Sequence, residues 1–176
     1  MTLPLYRRVL GSRFDVLPAR VRELHDLQGP SVWVGKADVE RGRSLASRFA
    51  ALVSGLPPAG PSQPLRVAFE PVGVEESWSR QFGKALFPSV QYEHGGFLRE
   101  RVGPTTFVFT ALASAEGLAL RLDGFRVLGV PLPRLLHPVV RTFERERDGR
   151  YHFGVEARLP LFGLLVRYGG WLEPQA

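Results

Sequence analysis

At 176 residues the chain is long enough to bury one core of its own, and a single domain over 1–176 is expected. It has no cysteine, which excludes a disulfide frame, a thiol nucleophile and cysteine-ligated zinc. A net charge of +6 and a pI near 10.4 would suit a nucleic-acid binder. The distribution argues against one: only Lys36 and Lys84 are lysine, and the arginines are dispersed among glutamates, as in RTFERERDGR (141–150). That pattern is a solvated mixed-charge face, so no nucleic-acid partner is expected.

In chain order, the first 28 residues read as helical. Leu17, Val21 and Leu24 share one helical face, with Asp15 as a cap and Pro18 early in the helix. MTLPLYRRVLGSRFD has no basic run leading into an apolar one, so no signal peptide is expected. Residues 31–42 alternate like a strand. In 44–56, Leu45, Phe49, Leu52, Val53 and Leu56 form an apolar stripe that Ser44 caps and Pro57-Pro58 stop. Residues 57–64 then read as a loop.

From Leu65 onward the apolar period is two, punctuated by glycine. Strands are predicted near 65–72, 76–86, 89–94, 97–102, 105–113, 117–128, 139–147, 150–159 and 164–172. Consecutive strands on tight turns make an antiparallel meander, and about nine twisted strands curl or close. The expected fold is α+β and mainly antiparallel β: a strongly curved meander sheet or barrel, lipocalin-like or START-like. It should carry N-terminal helices and one helix near 44–56 that plugs or flanks the sheet.

The hairpin in RERDGRYHF allows two registers. A two-residue loop at Asp148-Gly149 sets Glu144 and Glu146 among Tyr151 and Phe153. A three-residue loop pairs Glu146 with Arg150 and Glu144 with His152 instead, which joins opposite charges. The charge pairing favours the second, which makes both glutamates surface residues.

Two apolar runs, 127–133 and 159–166, interrupt the polar pattern. Both are shorter than the roughly 20 residues of a membrane span, and the loops at 127–133 and 159–163 are expected to form the mouth of a pocket. ESWSRQFGKALF (76–87) puts Trp78, Arg80, Phe82, Lys84 and Leu86 on one strand face, so Arg80 points inward as a core residue or toward an anionic ligand head. A buried charge requires a partner, and Glu100 is the expected partner of Arg80. Ligand-binding candidates are Trp78, Arg80, Phe82, Arg99, Val130 and Leu132.

The four histidines have no metal-type spacing, so no metal ligand is assigned. His25 and His94 read as solvated, whereas His137 sits beside the pocket rim. No nucleotide cradle and no G-x-S-x-G is present, and no cofactor is expected. Three readings follow: a module binding a small hydrophobic or lipid-like molecule; a cofactor-free isomerase, cyclase or hydrolase using Arg80, Glu100 and His137; or a domain whose apolar loops dock a partner protein or a membrane periphery.

LYRRVLGSRFDVLP, ADVERGR, GLPPAG, WSRQFG, ERVGPTTFVF, GFRVLGVPLPRLLHP and YHFGVEARLPLFGLLVRYGGWLEP occur in that order. Together they resemble the bacterial domain-of-unknown-function family numbered 4166, over essentially the whole chain. That family occurs alone or fused to saccharopine-dehydrogenase-like or membrane-embedded modules. The resemblance implies a bacterial domain in the cytoplasm or at the membrane periphery, with no catalytic residue to transfer.

Overall fold

A computed structural model describes residues 3–175. Two short helices, α1 (Leu5–Leu10) and α2 (Ala19–His25), flank a 3-10 turn and lead into β1 (Ser31–Arg41). Then come α3 (Leu45–Val53), β2 (Gly60–Val72), β3 (Glu75–Phe82), β4 (Ala85–His94), β5 (Phe97–Val102) and β6 (Thr105–Ser114). The chain continues through β7 (Gly117–Val127), the two-residue β8 (Val130–Pro131), β9 (Val139–Arg147), β10 (Arg150–Leu159) and β11 (Gly163–Pro174). Apart from β8, an appendage of β7, these strands close a ring of ten in the order β1 to β7, β9, β10, β11 and back to β1. The expected barrel is present, and it is closed.

Alternation along each strand decides what faces in. Trp33, Leu65, Val67, Phe69, Phe82, Leu98 and Phe109 are buried inside, while Arg66, Glu70, Arg121 and Arg145 alternate outward. A membrane-spanning barrel carries its apolar residues on the outside, so this wall has the opposite polarity. Helices α1 and α2 close the end where β1 begins. Leu5, Tyr6, Leu10, Phe14, Val21 and Leu24 enter the core there, and Arg7 donates twice to the Asp26 carboxylate at 2.7 Å, tying the two helices together. Asp15 caps nothing; it also pairs with Arg7.

Four expectations change. The 76–86 stretch is two strands, because Gly83 takes a positive φ and turns the chain with Lys84. Leu86 therefore lies outside. The 148–149 hairpin has the two-residue loop, with Asp148 and Gly149 both at positive φ, so Tyr151 faces Glu146 and Phe153 faces Glu144. Strand β2 begins at Gly60, inside the stretch read as a loop. Ser44 does cap α3, accepting from the Ser47 amide at 3.1 Å, but the plug is the N-terminal helix pair and α3 lies at the opposite end.

The closing seam is the thinnest part of the ring. Strands β7 and β9 share one ladder pair, Leu118 with Glu144, reinforced by the Leu120 amide donating to Thr142 Oγ1 at 2.8 Å. Gly117 makes the approach possible: its φ is +146°, and a Cβ there would lie 1.9 Å from the Glu144 carbonyl oxygen. Gly117→Ala should therefore cost about 2–3 kcal/mol through strain and overpacking. That is a fall in Tm of about 4–12 °C for a domain of this size, whereas Gly29→Ala, with open space around it, should leave Tm unchanged. Equal Tm values for wild type and G117A would contradict this tight seam.

Candidate functional site

Inside the ring is a cavity of about 140 Å³. Its walls include Phe82, Phe87, Phe107, Phe109 and Tyr168, and Ser54 and Leu56 reach it from the segment after α3. Two polar clusters interrupt this apolar lining.

The first belongs to β3, β4 and β5. Arg80 Nη2 donates to Glu100 Oε1 at 3.0 Å, Arg80 Nη1 donates to Ser89 Oγ at 2.7 Å, and Ser89 Oγ donates to the same Glu100 oxygen at 2.7 Å. The guanidinium carbon lies 4.8 Å from the Trp78 ring centroid, a cation–π contact. Burial is the largest single effect and works against the Arg80 charge; Glu100, together with smaller contributions from Tyr168 and Tyr6, outweighs it, and the pKa of Arg80 is raised. The pair is a closed unit of zero net charge.

The second cluster lies where the plug enters. Tyr6 Oη donates to Gln91 Oε1 at 2.9 Å. His25 Nε2 lies 2.5 Å from Glu144 Oε2, and the imidazole packs against both the Tyr6 and the Trp78 ring, with centroids 3.7 and 5.8 Å away. Glu76, also buried, accepts from the Leu5 amide at 3.2 Å and from Trp78 Nε1 at 3.3 Å. Burial raises its pKa despite these partners. Burial also pushes up the phenols: Tyr168 to about 12, and Tyr6 and Tyr151 well above their ordinary value, with Glu144 adding to both. At neutral pH all three remain protonated and can donate.

Of the sequence candidates, Trp78, Arg80, Phe82 and Glu100 line the cavity. Arg99, Val130 and Leu132 do not. Arg99 alternates outward between Leu98 and Glu100, and Val130 is exposed on the rim. Leu132 is held in the β8–β9 connection, its amide donating to the Phe125 carbonyl. His137 is there too, Nε2 within 2.9 Å of the Leu132 carbonyl, so the trio Arg80, Glu100 and His137 is not assembled. His25, read as solvated, is completely buried.

Sequence reasoning missed Tyr6, His25, Gln91 and Glu144. For Glu144 the signal was present: Asp-Gly between alternating strands is a strong mark of a two-residue turn, and that register sends Glu144 inward. His25 follows Val21 by one helical turn and so shares its buried face.

A family profile for a domain of unknown function, DUF4166, matches residues 17–172. The chain belongs to this family. No curated protein and no solved structure matches it. The DUF4166 match spans α2 and the ring, so it takes in His25, Arg80, Glu100 and Glu144 and leaves Tyr6 outside.

With Arg80 and Glu100 only 11% and 15% exposed, removing one partner strands the other. Glu100→Ala should lose about 3–5 kcal/mol in urea unfolding, and the double variant R80M/E100L should recover most of that. An E100A midpoint equal to wild type would show that water, not Glu100, compensates the guanidinium.

Proposed function

We propose that the barrel binds a small hydrophobic molecule carrying one neutral polar group. The observation that supports this most directly is the combination of an aromatic-walled cavity with polar clusters that are already paired. A benzene ring occupies a cavity of about 150 Å³, and pockets for drug-sized ligands start at roughly 300 Å³. A volume of 140 Å³ therefore suits one ring or a short alkyl chain, and a longer body has to continue toward the open end of the barrel.

Charge selects the head group. Arg80 is neutralised by Glu100, and Glu144 and Glu76 add acidic groups near the plug. An anionic head would meet no free cation among the described lining residues and would approach carboxylates. A hydroxyl or a carbonyl can accept from a tyrosine, and a hydroxyl can also donate to Glu144, at no such cost. This favours the first of the two sequence-based readings of Arg80, a core residue, over one that receives an anion.

The test is a matched pair of probes in saturation-transfer NMR, 1-octanol and octanoate at pH 7. Octanol should bind and octanoate should bind at least ten-fold more weakly. Phe107→Trp, which fills the cavity, should abolish the octanol signal while the fold survives by circular dichroism. Absence of octanol binding, or a preference for octanoate, would sink the reading.

A further inference from the structure

Helix α3 turns most of its apolar stripe away from the barrel. Leu45, Phe49, Leu52 and Val53 are 51–82% exposed, while the small residues Ser47 and Ala51 face the barrel. The helix crosses the open end. Near its N-terminus Ser47 Oγ donates to the Leu164 carbonyl of β11 at 2.8 Å. At its C-terminal end Val53 and Ser54 lie against Gly103, in the β5–β6 turn. Strands β11 and β5 are five apart in either direction around the ring, so α3 lies across the mouth as a lid with its apolar side outward.

The neighbouring connections at this end repeat the pattern. Leu135 and Leu136 before β9, and Leu161 and Phe162 in the β10–β11 turn, are all more than half exposed. Charge separates the two ends. The connections at the open end (42–59, 83–84, 103–104, 128–138 and 160–162) contain Arg43, Arg48, Lys84 and Arg134 and no Asp or Glu. At the plugged end Arg7, Arg8, Arg13, Arg20 and Arg22 are balanced by Asp15, Glu23, Asp26, Glu116 and Asp148.

We infer that the open end docks on an anionic lipid bilayer, with the α3 stripe and the two apolar connections in the headgroup–acyl boundary and the four cations among the headgroups. Isolated apolar tips rimmed by cations match what an interfacial helix presents to anionic lipid. No helix among the described residues is long and apolar enough to cross a membrane, and α3, at nine residues, is suited to lie in the plane. The docked face is also the mouth of the cavity, so a hydrophobic ligand could pass between bilayer and barrel without crossing water. The docking itself does not depend on the cavity being occupied.

The experiment is flotation of the full chain with vesicles of phosphatidylcholine alone or with 30% phosphatidylglycerol, at 0.1 and 0.5 M NaCl. Binding should be at least ten-fold stronger to the anionic vesicles and should weaken several-fold at high salt. F49D/L52D, altered at exposed positions, should keep the wild-type Tm and lose at least ten-fold in binding. R43E/R48E should lose the preference for phosphatidylglycerol, and R13E, at the plugged end, should bind like wild type. Equal or absent binding to the two vesicle types, or wild-type binding by F49D/L52D, would overturn the inference. So would a dimer in solution that F49D/L52D dissolves, with no vesicle binding. Octanol binding in vesicle-free solution is read separately, so failure of either idea leaves the other standing.

Discussion

A guanidinium inside a closed barrel is tolerable only where a carboxylate meets it, and this requirement ties three strands together. Arg80 faces inward from β3 and Glu100 from β5, with Ser89 bridging from β4. The contact exists only if the β3–β4 turn falls at Gly83-Lys84 and the β4–β5 turn at Gly95-Gly96. A slip of one residue in either hairpin would send one charge outside and leave the other buried without a partner. The same pairing leaves the cavity electrically neutral at its centre, and the selectivity proposed for the ligand rests on that neutrality.

The plug imposes the second set of constraints. His25 and Tyr6 bring polar atoms into the barrel end, and the wall answers with Glu144 and Gln91. The barrel is therefore sealed by hydrogen bonds and stacked rings at one end. At the other it is covered by a helix whose inward face is made of small side chains. The ends differ in packing, polarity and charge, and both proposals draw on that difference.

The meander was legible because period-two alternation and glycine turns survive in almost every strand. So was the Arg80–Glu100 pair, since each residue shares a strand face with apolar neighbours two positions away that must point in. What was misread has physical causes. An amphipathic pattern shows that one face of 44–56 is apolar but not what that face touches, and here Leu45, Phe49 and Leu52 face outward. In the 148–149 hairpin, surface charge pairing competed with turn chemistry. Positive φ at both Asp148 and Gly149 outweighs an exposed ion pair that contributes at most about 1 kcal/mol. Helical spacing from Val21 could have placed His25 inside, but the partners of His25 and Tyr6 could not be named because they lie 119 and 85 residues away, beyond what local periodicity records.

The central claim is that the ring encloses usable apolar space beside a self-neutralised ion pair. Xenon tests it directly: it is apolar, makes no hydrogen bonds and fits a cavity of this size. Crystals pressurised with xenon should show a site within the barrel, against Phe82, Phe107 and Tyr168, with Arg80 and Glu100 undisturbed. An interior that takes up no xenon, or side chains found collapsed into that space, would contradict the account.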